Sequence, residues 1–124
     1  MIKERLILNS IGIPKNVEFL KSEISKQKNK IQLTGLVGSS FALQSSLTIS
    51  ESEFPQIFIL ESKESALYFL NDLESLLKKE VFFFPASNFK NYEEKKYDSN
   101  NSLLRSEVLY KTNHKNNSVI VTYT

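Results

Sequence analysis

The spacing of apolar positions changes along the chain, and each change marks an element. Between residues 15 and 28, Val17, Leu20 and Ile24 recur at helical intervals, leaving Lys21, Lys26 and Lys28 for a solvent face. The apolar-charged segment 1–13 before it predicts a turn or two of helix, ended by Pro14. Residues 30–36 read as a first strand, then a glycine turn, then a helix over about 39–47 that carries Phe41, Leu43 and Leu47. Residues 51–55 connect to Gln56-Ile-Phe-Ile-Leu60, a short apolar run followed by polar residues, which is the pattern of a buried strand.

The next helix has chemical signals at both ends. Ser62 is a cap, Glu64 stands in the first turn, and Lys78 and Lys79 complement the dipole at the far end. Its apolar stripe is Ala66, Phe69 or Leu70, Leu73, Leu76 and Leu77. Val81-Phe-Phe-Phe84 follows and is stopped by Pro85. Consecutive phenylalanines can stack on nucleic-acid bases. Placed as a strand between two helices, they belong to a sheet core instead.

Residues 86–101 form a polar stretch with Tyr92, Lys95, Lys96 and Tyr97, and loops of that length are commonly functional or held by a partner. A helix starting at Asn101 or Ser102 carries Leu103, Leu104, Val108 and Leu109. His114 falls in a polar turn over 112–117, and residues 118–123, alternating and rich in Val, Ile, Thr and Tyr, make the last strand. Helices and strands thus alternate, which predicts an α/β fold: a parallel sheet of about four strands with flanking helices. Residues 1–30 form an N-terminal helical segment and residues 31–124 a single domain.

Composition narrows the classes of function. A chain of 124 residues suits one domain that buries about two-thirds of its unfolded surface. Sixteen basic and 14 acidic residues are mixed along it, for a net charge of +2, so binding to DNA is expected to be weak or absent. There is no cysteine and one histidine, which excludes disulfides and thiolate metal sites and gives no ligand set for a metal. No apolar run approaches the ~20 residues of a membrane span, and the charged N-terminus lacks the apolar core of a signal peptide. These features predict a cytoplasmic chain with no membrane contact.

The stretch that carries candidate chemistry is residues 32–46, a strand, a glycine turn and a helix opened by Ser39 and Ser40. This is the layout of a phosphate-binding P-loop, in which backbone N–H groups cradle phosphate and a lysine reaches the outer phosphates. Gly35 and Gly38 stand three apart, but Phe41 holds the lysine position and Ala42 the place of the magnesium-binding hydroxyl. The loop keeps its backbone shape without the groups that do the chemistry. The degenerate set Gly35, Gly38, Ser39, Ser40, Phe41 and Ala42 is therefore expected to hold no cofactor, and no metal. No catalytic dyad or triad can be assembled from the serines, His114 and the acids, and the neighbouring Glu93 and Glu94 are no substitute for one.

Five segments together carry a resemblance: Gly35-Leu-Val-Gly-Ser-Ser40, Asn71-Asp-Leu-Glu74, Phe82-Phe-Phe-Pro-Ala-Ser87, Leu103-Leu-Arg-Ser-Glu-Val-Leu109 and Val119-Ile-Val-Thr-Tyr123. In order and spacing they resemble the N-terminal UvrB-like module of the bacterial transcription-repair coupling factors, the Mfd family, in its Bacteroidetes-type form. The resemblance covers about residues 32–124 and is loose over residues 1–30. It implies a half-domain of the P-loop NTPase type, similar to the first domain of the excision-repair protein UvrB. Against the UvrB pattern Gly-Val-Thr-Gly-Ser-Gly-Lys-Thr, Gly35, Gly38 and Ser39 match. Ser40 replaces a glycine, Phe41 the lysine and Ala42 the threonine.

The resemblance implies a non-catalytic recruitment module acting in transcription-coupled nucleotide excision repair, with the rest of the parent protein as its partner. The ATP-driven translocase motor, and the contacts with UvrA and RNA polymerase, belong to parent domains outside this chain. It also implies an incomplete first domain that stops before the UvrA-contacting domain, with an apolar surface left where returning helices would pack. The helix around 103–109, and Tyr92 and Tyr97, are the expected contributors, with Arg105 and Glu107 orienting rather than catalysing. Two readings from other classes stay open: a small P-loop-type enzyme, which lacks its lysine, and a stand-alone α/β protein-interaction domain. A receiver-like version of the latter needs acids at strand ends, where only Glu61 stands.

Overall fold

The last strand of the chain lies in the middle of the sheet. The computed structural model describes residues 15–26, 30–49, 52–77, 79–86 and 99–124. Among them are four helices, α1 (Lys15–Ser25), α2 (Ser40–Ile49), α3 (Lys63–Leu77) and α4 (Ser99–Asn113), and three strands, β1 (Gln56–Leu60), β2 (Phe82–Phe83) and β3 (Val119–Tyr123). All strand pairs are parallel, in the order β1-β3-β2. Each parallel pair needs a crossover, and α3 and α4 supply them.

Register separates the two faces of this sheet. Phe58 lies beside Val121 and Leu60 beside Tyr123, whereas Ile57 lies beside Ile120 and Ile59 beside Thr122. The Phe58 face carries the core, in which Ala42 and Ile49 of α2, Ala66, Phe69 and Leu73 of α3, and Val81, Val119 and Val121 are buried together. Phe83, paired with Val121, extends this face and stacks on Tyr123 with ring centroids 6.0 Å apart. Small buried residues on α2 let it sit between α1 and α3, both of which it contacts. Two of its buried hydroxyls are satisfied within the helix: Ser46 Oγ donates to the Leu43 carbonyl at 2.8 Å and Thr48 Oγ1 to the Ser45 carbonyl at 2.8 Å.

The opposite face is covered by α4 only where it reaches β2. Phe82, on the Ile120 side of the register, is buried. The ammonium groups of Lys111 and Lys115 lie 5.7 and 5.5 Å from its ring centroid. Glu80 accepts from Lys111 at 3.0 Å and from Lys115 at 3.2 Å, and Lys111 also pairs with Glu107 at 2.8 Å. Higher up α4, Arg105 Nη1 donates to the Pro85 carbonyl at 3.2 Å while its guanidinium sits 4.6 Å from the Phe84 ring centroid. Arg105 thus ties α4 to the end of β2, and Glu107 works through Lys111.

Several expectations need correction. Residues 30–36 are not a strand: they run exposed and without regular pairing, so the sheet has three strands among the described residues, not four. An extended segment gains ladder hydrogen bonds only beside a partner, and Gly35, at φ 80°, turns this one out of the β region. β2 is two residues long, although Phe84 N–H still donates to the Val121 carbonyl at 2.8 Å. α4 starts at Ser99, inside the stretch read as a loop. The helix expected over residues 1–13, Lys28, Lys78 and the loop residues Tyr92, Glu93, Glu94, Lys95, Lys96 and Tyr97 lie outside the described residues. No helix among the described residues is long and apolar enough to cross a membrane.

Candidate functional site

The glycine turn closes on itself. Gly35 and Gly38 have φ of 80° and 56°, left-handed values that a residue without a Cβ adopts at little cost. Ser40 Oγ accepts from Val37 N–H at 2.8 Å and donates back to the Val37 carbonyl at 2.7 Å. Ser40 N–H also reaches that carbonyl, at 3.2 Å. Two of the N–H groups that a phosphate cradle would point outward are therefore spent inside the turn. The Ser39 carbonyl receives Leu43 N–H at 3.0 Å, so Ser39 caps the backbone ladder of α2.

Phe41 is turned into the protein. Its ring stacks on Phe69 of α3 at 4.7 Å between centroids and meets Phe58 of β1 edge-on at 6.2 Å, while Phe58 and Phe69 lie 5.1 Å apart. Ala42, next to it, is part of the buried core. The two positions where a working loop would offer an ammonium and a hydroxyl are both packing positions here.

A cleft of about 700 Å³ opens at the C-terminal end of β1, between the glycine turn and α3. Ligands of parallel sheets bind at this end of the strands. Gly38 and Ser39 form one wall, Ile59, Leu60 and Glu61 a second, and Ser65, Tyr68 and Asp72 of α3 a third; Phe41, Ala42 and Phe69 complete the lining. The charged groups among these are the carboxylates Glu61 and Asp72, with no lysine or arginine. The start of α2 would attract an anion, yet two carboxylates face the same space and oppose a phosphate group.

The structure thus brings all of the degenerate-loop residues to one place: Gly38, Ser39, Phe41 and Ala42 line the cleft, and Gly35 and Ser40 shape the turn beside it. Sequence reading missed Ser65, Tyr68 and Asp72. Their spacing of three and four places them on one face of α3, a signal that becomes visible only once that face is known to look at the end of β1. His114 is exposed at the end of α4, where Nδ1 lies 2.8 Å from the Tyr110 carbonyl. No group of three or more His, Cys, Asp or Glu side chains that could hold a metal is found among the described residues. Comparison with protein-family models, with curated proteins and with solved structures gives no match to this chain.

Proposed function

We propose that the chain is a non-catalytic module of a transcription-repair coupling factor, acting in transcription-coupled nucleotide excision repair through its partners. Its P-loop-like turn has given up nucleotide. One observation carries the second half of this reading: Phe41, in the lysine position, is held between Phe58 and Phe69, and no lysine or arginine lines the cleft among the described residues. The carboxylates Glu61 and Asp72 in the same cleft act in the same direction. An enzyme of the P-loop type would need a positive charge here.

Calorimetric titration with Mg-ATP tests the nucleotide half. The expected result is no binding in the micromolar range, and micromolar affinity would remove the reading. The repair half rests on the five-segment resemblance, and the genomic reading frame tests it. Continuation past Thr124 into a UvrA-contacting domain and helicase motifs supports it; continuation into an unrelated domain overturns it. In this reading the chain is cytoplasmic, leaves UvrA and RNA polymerase to other domains of its parent, and binds DNA weakly and without sequence preference.

The second reading, a stand-alone α/β protein-interaction domain, draws on one feature. α4 exposes Leu103, Leu104, Leu109 and Tyr110, with Leu103 at 70%. Exposed apolar side chains grouped on one element mark interaction surfaces. Both readings use this surface, and neither needs catalysis.

A further inference from the structure

The cleft at the end of β1 carries charge of the sign opposite to a phosphate site. Glu61 and Asp72 are the charged side chains on its lining. Neither carboxylate has a hydrogen bond or an ion pair among the described residues. On the β2 side of the sheet, by contrast, Glu80 is neutralised by Lys111 and Lys115, and Glu107 by Lys111. The start of α2 does not cancel the pair in the cleft. A helix start carries about half an elementary positive charge, against two full negative ones. The net field is negative, apolar walls concentrate it, and it selects a cation.

The walls narrow the choice of cation. Phe41, Leu60 and Phe69 give the cleft apolar lining beside the carboxylates. Tyr68, also on the lining, is 69% exposed, so its ring stands open at the rim. Apolar walls with acidic groups suit a side chain that has an apolar stem and a charged head. Arginine fits better than lysine. Its planar guanidinium has donors enough for two carboxylates, stacks on an aromatic ring, and is more weakly hydrated than an ammonium.

The size and rim of the cleft favour an arginine that belongs to a longer chain. About 700 Å³ lies within the range of about 300–1,000 Å³ typical of ligand sites, and leaves room for residues beside the arginine. Val37, next to Gly38 on the turn, is 83% exposed and stands across the opening from Tyr68 of α3. These two exposed apolar groups offer contact to flanking residues that a small free cation would leave uncovered.

We propose that the cleft docks an arginine side chain of a partner protein, with Glu61 and Asp72 holding the guanidinium and Val37 and Tyr68 flanking the chain that carries it. The proposal rests on the reading that nucleotide has left this cleft, and is independent of the repair role. The carboxylates that oppose phosphate are the groups that hold the guanidinium.

NMR titration of the full chain with capped tripeptides tests it. The probe is acetyl-Leu-Arg-Leu-amide, and its neutral counterpart carries citrulline, which keeps the shape and loses the charge. The arginine peptide is expected to give saturable shifts at the Gly38, Glu61, Tyr68 and Asp72 amides, with affinity at least about tenfold above the citrulline peptide. Glu61→Gln combined with Asp72→Asn is expected to erase that difference, while an unchanged Val121 amide shows that the sheet still folds. Equal binding of the two peptides to the parent chain, or arginine binding that survives the double variant, overturns the proposal. So does methylguanidinium binding as tightly as the peptide, since that assigns the cleft to a small free cation. A separate titration with Mg-ATP keeps the two readings apart: micromolar nucleotide affinity removes the nucleotide-free reading, whereas absence of both nucleotide and arginine binding overturns this proposal alone.

Discussion

Phe41 and Phe69 stack with their ring planes 20° from parallel, joining the start of α2 to the middle of α3. With Phe58 they form a three-ring cluster under the cleft. At the position that the sequence reading matches to a P-loop lysine, this contact serves packing. Phe41→Ala is expected to lower stability by about 2–3 kcal/mol, toward the low end for a large aromatic because the ring is only half buried. Phe41→Lys should be destabilising as well, and should not confer Mg-ATP binding, because Glu61 and Asp72 remain. Urea denaturation and calorimetry check the two halves.

The glycine turn constrains the backbone, not the space around it. A Cβ added at Gly38 would meet nothing within 4 Å, so the cost of a side chain there comes from its φ of 56° alone. Gly38→Ala should cost about 1–2 kcal/mol. Gly38→Asn should cost less, because asparagine tolerates the left-handed region. Equal losses in thermal unfolding would show that crowding decides instead.

Ser62 caps α3 with its side chain. Its Oγ accepts Ser65 N–H at 3.1 Å, and its carbonyl accepts Ala66 N–H at 3.0 Å. Ser62→Ala should cost about 1 kcal/mol, and Ser62→Asp should be close to neutral, both measured as shifts in the urea midpoint. A neutral alanine would mean that the α3 ladder is held by its packing on the core alone.

Gln56 brings a buried amide nitrogen, Nε2, with no hydrogen-bond partner among the described residues. Leaving a buried donor unsatisfied costs about 1–3 kcal/mol, whereas an apolar side chain of similar shape carries no such penalty. Gln56→Met should therefore raise stability by about 1 kcal/mol. A loss in calorimetric unfolding would show that the amide is satisfied in solution.

The Glu80 carboxyl is held below its ordinary value of 4.5 by hydrogen bonds from Lys111 and Lys115. Lys111 is raised above 10.5 by Glu107 and then Glu80, so it stays charged throughout the acid range. Glu80 is thus a group with a depressed folded pKa. Its contribution is present above the unfolded value and is lost as pH falls through the folded one. Glu80→Gln should be slightly less stable than the parent at pH 6–7, with the difference vanishing as pH falls below about 4. These groups are partly exposed, so the effect is small and should fade further in about 1 M salt, where screening acts over about 3 Å. A difference that persists at low pH or in salt would assign the loss to packing against Phe82.

Much of the fold was legible because its signals are local. The cap at Ser62 and the stripe Ala66, Phe69, Leu73 define α3 through neighbouring residues only, and both stand in the structure. The short β-rich run at the chain end is likewise a strand. That Phe41 stands where a P-loop lysine would was readable from residue type alone, and the structure adds that its ring packs on Phe69. α4 was harder: its apolar residues form no clean face, and its start at Ser99 lies in the polar run Asp98-Ser-Asn-Asn-Ser102, where every residue type favours a cap and none singles out the start.

The sequence by itself determined the alternation of helices and strands, and the side chains at the glycine turn, because periodicity and residue type are properties of short stretches. Only the tertiary structure decided that β3 lies between β1 and β2, and that Ser65, Tyr68 and Asp72 look across at Ser39 and Glu61. It alone also left residues 30–36 exposed and without a strand partner among the described residues. The physical reason is that a strand is defined by its partner. Ile31 and Leu33 alternate as well as Ile57 and Ile59 do, but hydrogen bonds to a neighbouring chain segment, not alternation, turn an extended stretch into part of a sheet.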